Sequence, residues 1–203
     1  MQPLDPIFLI TILVMSVVIH EVAHGYVAYL LGDPTAHLAG RLTLNPLVHL
    51  DWLGSFLVPL LLYFLPGGLM FGWAKPVPYN PYNLRGGKWG PAYVALAGPA
   101  SNLALAAIFG LALRFALVPV TAGSLVISLI VINLMLAVFN LMPIAPLDGS
   151  KVLFAIMPNS LMWLTEWWEK HQLFILIAFI FLLSSVDFLQ GIVLGLLRLI
   201  IGA

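Results

Sequence analysis

Residues 20–24 read His20-Glu21-Val22-Ala23-His24. On a helix, side chains four apart lie on one face, so both imidazoles can reach one ion. Glu21 sits about a quarter-turn away, outside the ligand pair, where it can take a proton from water activated by a metal. This is the H-E-x-x-H arrangement of zinc hydrolases. With five His in the chain, chance would produce it about twice in a thousand such sequences. The competing reading is a polar patch bonded between helices or lining a proton path.

Two histidines are too few, because catalytic zinc takes three protein ligands and keeps a position for water. The remaining histidines and the carboxylates near the membrane are the candidates. Asp148 stands out in Asn140-Leu141-Met142-Pro143-Ile144-Ala145-Pro146-Leu147-Asp148-Gly149. The two prolines prevent a regular helix, and Gly149 permits a tight turn that would point the aspartate back into the bundle. The competing assignment is an N-cap for the apolar run starting at Val152. His37, His49 and Asp51 are rival ligands. They fall across the membrane from Asp148 in the topology below, and they stay outside the site.

The elements that must carry these residues are lipid-embedded. The chain has 203 residues, 62% of them hydrophobic and 8% charged, with a mean hydropathy of +1.08. A soluble domain is about 45–50% apolar and about 25% charged. We read an all-α polytopic membrane protein forming a single domain over 1–203, with a catalytic core over about 7–155 and C-terminal helices over about 158–203. Candidate spans are Ile7–Leu31, Leu53 to about Met70, Ala92–Val118, Leu125–Met142 and Leu173–Ile201. The last is one tilted helix or two short ones, which gives six crossings, or five. The His-Glu-His cluster in the first span argues against a cleaved signal peptide.

Lys75, Arg85, Lys88, Lys151, Lys170 and Arg198 share one side in a six-span layout, which places the N-terminus in the cytoplasm. An integral, multi-pass location in a membrane is expected. Residues 36–50 alternate polar and apolar around Arg41–Leu44, then reach an Asn-Pro turn, and are expected to form a small β-hairpin or strand at the membrane surface. Residues 157–171 carry Trp163, Trp167 and Trp168 and suit an interfacial helix. A net charge of zero excludes a nucleic-acid footprint, and the absence of cysteine excludes thiol chemistry.

Taken together, His20-Glu21-Val22-Ala23-His24, Gly98-Pro99-Ala100-Ser101-Asn102 and the Asn140–Gly149 segment resemble the site-2 protease family of intramembrane zinc metallopeptidases. Gly72-Trp73-Ala74-Lys75-Pro76-Val77-Pro78 looks like its compact prokaryotic branch, which lacks a PDZ insert. The likeness covers roughly residues 10 to 155. It implies one zinc ion per chain on His20, His24 and Asp148, with Glu21 as the catalytic glutamate. It also implies that Asn140 and Asn102 line the site and help hold substrate; the competing role for both is interhelical hydrogen bonding. The implied reaction is hydrolysis of peptide bonds in a transmembrane protein substrate within the lipid bilayer. The Arg41–Leu44 strand would pair with the unwound substrate. The alternative is a metal-ion or proton transporter using the same cluster; an inactive scaffold is a further rival.

Overall fold

The computed structural model describes residues 6–57, 74–184 and 188–202. These residues are mostly helical and contain no strand. The helices are α1 (Pro6–Leu30), α2 (Thr35–Leu38), α3 (Gly90–Arg114), α4 (Gly123–Asn140), α5 (Asp148–Ile156), α6 (Met162–Lys170), α7 (Gln172–Ser184) and α8 (Phe188–Ile201). Three segments, Pro6–Leu30, Gly87–Arg114 and Val120–Asn140, are long and apolar enough to cross a membrane. Their sequences are nearly continuous Leu, Ile, Val and Ala, apolar all round rather than along one stripe. In lipid such a segment must satisfy its own backbone, and a helix does so.

The three long helices alternate in direction. Arg85 N donates to Leu31 O at 2.8 Å, and Ala28, Leu84 and Val94 pack together, so α3 starts beside the end of α1. A short connection then feeds α4 back alongside α3. One end of the bundle therefore gathers residues 31–50, 74–89 and 141–170. Away from that end, Ala106, Ile130, Leu134, Val138 and Val193 form the main apolar cluster of α3, α4 and α8.

Several expectations change here. The second expected span lies outside the described residues except for a π-helical turn at Trp52–Leu57. Its flanks meet, since Lys75 N donates to His49 O at 2.8 Å. The expected hairpin is absent: residues 36–50 hold part of α2 and a 3-10 turn, Pro46–His49. Asn45 caps that turn through Leu47 N, Thr43 Oγ1 accepts from Asn45 N, and His49 Nε2 meets Thr43 O at 2.9 Å. These local bonds compete with a ladder and win. Residues 36–50 also share an end with Asp148 rather than facing it across the membrane. In the C-terminal stretch α7 and α8 have 13 and 14 residues, each short of the roughly 20 that a straight span needs, and residues 185–187 between them lie outside the described residues.

Candidate metal centre

His20 and His24 project from one face of α1 toward Asp148, the first residue of α5. Asp148 Oδ2 lies 3.1 Å from His20 Nε2 and 3.3 Å from His24 Nε2. The proline-broken segment does fold back, and the depth gap between Asp148 and the first helix closes. Asp148 caps no helix with its side chain. Gly149 supplies space rather than a turn: a Cβ there would strike the Leu141 and Met142 carbonyl oxygens.

The other ring nitrogens show where the protons sit. His24 Nδ1 lies 2.7 Å from Val94 O. A carbonyl can only accept, so Nδ1 carries the hydrogen and Nε2 keeps its lone pair. His20 Nδ1 lies 2.6 Å from Asn102 Oδ1, with the same consequence. Two imidazole lone pairs and a buried carboxylate oxygen without a hydrogen-bond partner thus converge on one point. Three acceptors facing one another are satisfied by a shared cation, a metal ion or a proton on one Nε2. The donor set of two His nitrogens and a carboxylate oxygen is one that zinc takes, and the N–H acceptors behind each ring complete it.

α3 forms the floor. A Cβ at Gly98 would collide with both imidazoles, so only glycine lets the helix approach this closely. His20, Glu21 and His24 by themselves present ligand atoms within 4.8 Å of one another. Glu21 turns aside, accepting a hydrogen bond on Oε2 from Val77 N at 2.8 Å. Val77 belongs to an extended strap, residues 74–80, which Arg41 holds by donating from Nη2 to Lys75 O at 2.7 Å and Pro76 O at 3.4 Å. Arg41 is buried and Gly25 lies against Val77 and Leu42.

Asp33 anchors the strap's other end. Shielded from solvent, it accepts from Asn80 N at 2.6 Å, Asn83 Nδ2 at 2.9 Å, and Thr35 Oγ1 at 2.6 Å. Burial would raise its pKa, but these bonds together hold it below the usual carboxylate value.

A cavity of about 260 Å³ opens over the cluster, lined by His20, Glu21, His24, Asn140, Asp148 and Lys151 among others. Tyr79 and Lys151 are shared with a second cavity of about 280 Å³ under α6. Lys151 is paired with Glu169 at 2.6 Å. Burial, then the charges of Asp148 and Glu169, push the Tyr79 phenol upward, so it stays a neutral O–H. Asn140 lines the first cavity, with Nδ2 donating to Leu136 O. Asn102 does not: it is fully buried behind His20, so it supports a ring rather than meeting substrate. His37, His49 and Asp51 stand outside the cavity. The sequence reading missed Asn133 and Ser16, which bond to Asn102; a lone asparagine inside an apolar run was the available signal.

The description Peptidase family M50 matches residues 117–184, which include Asn140 and Asp148 but not the first helix. Three similar proteins are each named "Putative zinc metalloprotease". YwhC of Bacillus subtilis (strain 168) is 40% identical over 160 residues, 74% of this chain and 69% of its own length.

The chain belongs to peptidase family M50.

Rip2 of Mycobacterium tuberculosis is 32% identical over 137 residues, 66% of this chain and 51% of its own length. Rip3 of the same species is 47% identical over 82 residues, 38% of this chain but only 18% of its own. No solved structure matches the chain. With three span-length helices, this M50 chain is a membrane protease, and zinc, the metal in its relatives' names, suits the donor set described above.

Proposed function

We propose that the chain is an intramembrane zinc endopeptidase that hydrolyses peptide bonds of membrane-spanning proteins. His20, His24 and Asp148 hold the ion, and Glu21 is the catalytic residue. The observation that carries this reading is the convergence of two Nε2 lone pairs and the unpartnered Asp148 oxygen beside a carboxylate in an open cavity. A zinc ion held by these residues would supply a lowered water pKa of about 7 and a polarised carbonyl.

The chain's own groups supply the rest. Val77 N–H fixes Glu21 Oε2, which leaves Oε1 to take a proton from water and return it to the leaving amine. Asn140 spends one amide N–H on Leu136 and keeps the other for a substrate carbonyl. A substrate helix must unwind before its carbonyls are free. Arg41–Leu44 forms no strand, and Arg41 N and Thr43 O, two of the groups that pairing would use, are already bonded to Ala36 O and His49 Nε2.

Orientation follows from the helix directions. Arg41, Lys75, Arg85, Lys88, Lys151 and Lys170 all belong to the end that holds the cavity. Arg114 and Arg198 lie at the other, where Gly202 packs on Arg114 and bonds to Arg198 O. Positive residues collect on the cytoplasmic side. We therefore place the cavity toward the cytoplasm of a prokaryotic cell and the start of α1 on the outer side, reversing the orientation expected from six spans and the Lys and Arg beside them.

The test is Glu21→Gln in purified protein, with zinc content and cleavage of a model transmembrane peptide measured together. A peptidase keeps one zinc per chain and loses at least about a thousandfold in turnover. Undiminished cleavage would remove Glu21 from the catalytic role, and zinc flux into vesicles that changes with the substitution would return the cluster to the transporter reading.

A further inference from the structure

Asn133 is a fully buried amide in the middle of α4 that touches neither the cavity nor any proposed ligand. Its neighbours fix which way it points. Leu129 O can only accept, so the Asn133 atom 2.9 Å from it is the nitrogen Nδ2. The same nitrogen meets Ser16 Oγ at 2.9 Å. Oδ1 is thereby turned toward Asn102, whose facing atom, 2.8 Å away, must donate and is Nδ2. Asn102 Nδ2 also lies 3.4 Å from Ser16 O, another obligate acceptor. Only Oδ1 of Asn102 is left for His20, and His20 Nδ1 must then carry the ring proton. Three hydrogen bonds are donated in one direction, from His20 on α1 to Asn102 on α3, from Asn102 to Asn133 on α4, and from Asn133 to Leu129 O.

We propose that Asn133 is a positioning residue for the metal centre: it selects the Asn102 orientation that makes His20 a ligand through Nε2. The proposal rests on reading His20, His24 and Asp148 as the metal ligands. His24 needs no such device, because its Nδ1 faces a backbone carbonyl that cannot be reversed. An asparagine side chain can. Without the Asn133 oxygen at 2.8 Å, only the longer 3.4 Å contact to Ser16 O opposes reversal, and a reversed Asn102 presents an N–H to His20 Nδ1 and favours the proton on Nε2, the state that cannot bind a cation. Asn102 and Asn133 are both 0% exposed, so bulk water has no access to take over the missing acceptor.

The experiment uses the purified full chain, with zinc affinity from chelator competition and the visible spectrum of the cobalt-loaded protein. Asn133→Leu is expected to weaken zinc binding about tenfold and to alter the cobalt bands. Asn133→Asp, with a neutral carboxyl whose O–H takes the place of Nδ2 toward Leu129 O, keeps an oxygen facing Asn102 and is expected to stay within about threefold of wild type. A role confined to packing predicts lower thermal stability in Asn133→Leu with unchanged zinc affinity, and that result overturns the proposal. So does equal loss in Asn133→Asp and Asn133→Leu. Should Asn133→Leu fail to fold, Asn133→Ser carries the same expectation, since its hydroxyl reaches Leu129 O but not Asn102. A wild-type protein that takes up no zinc sinks the ligand assignment itself, which separates that failure from one specific to Asn133.

Discussion

α3 is built from two unlike halves. From Gly90 to Asn102 it lies beneath the imidazoles, giving the Val94 carbonyl to His24, the Asn102 amide to His20 and bare backbone at Gly98. From Leu103 to Arg114 it meets α4 and α8 through Ala106, Phe109, Gly110 and Leu113, with only dispersion to hold it. Both halves use small residues to bring backbones close, as helices in lipid must. The difference is direction. Dispersion accepts several packings of similar energy, whereas the hydrogen bonds of the first half admit one arrangement of donors. The protein places its directional contacts where a ring nitrogen has to present a lone pair, and leaves the remainder to shape.

The largest effect that could break this contrast is expected at Gly98. Gly98→Ala should weaken zinc binding more than about a hundredfold, since its methyl collides with both ligand rings, and abolish cleavage while circular dichroism stays helical. Stoichiometric zinc in that variant would show that the floor is not needed. Gly110→Val, in the other half, presses on Ile200. It should cost about 1–3 kcal/mol in unfolding measurements with zinc affinity per folded molecule unchanged; a drop in affinity would mean that the halves are coupled.

Asp33→Asn should cost about 1.5 kcal/mol at neutral pH, the low end for a hydrogen bond to a charged group. Because Asp33 has a depressed pKa, its contribution is present above about pH 4 and disappears as pH falls through the folded-state value. Stability curves of wild type and variant should therefore converge in acid, and parallel curves would refute the assignment. Arg41→Lys loses the planar fork that grips the strap and should lower turnover roughly tenfold through misplacement of Glu21, with zinc retained. Smallest of all, Glu169→Gln removes a partly exposed pair and should shift stability by less than about 1 kcal/mol in the same unfolding assay.

How far the sequence was legible varies with the kind of signal. His20, His24 and Glu21 were plain because one helical turn fixes their geometry. Asp148 required the chain to double back, and prolines at 143 and 146 announced that a helix must stop there without saying where the next would point. Residues 36–50 misled because alternation over four residues is matched by side-chain bonds from Thr43 and Asn45 that favour a turn. The topology went astray for a similar reason: hydropathy marks apolar stretches but not whether their two flanks meet, as His49 and Lys75 do. Asn102 was visible as a motif residue, yet its partner Asn133 lay inside an apolar run, and nothing local says which helix an isolated amide faces.

The meeting of α1 with the first residue of α5 has a consequence for how the fold is held shut. The His20–Asp148 and His24–Asp148 approaches join segments that are remote along the chain, and α5 itself is a single short helix between two proline-containing turns. An ion clasped by all three side chains acts as a removable rivet across that long loop. Stripping it with a chelator would release α5 first, so new protease-sensitive sites should open around residues 141–157 before the bundle of α1, α3 and α4 comes apart.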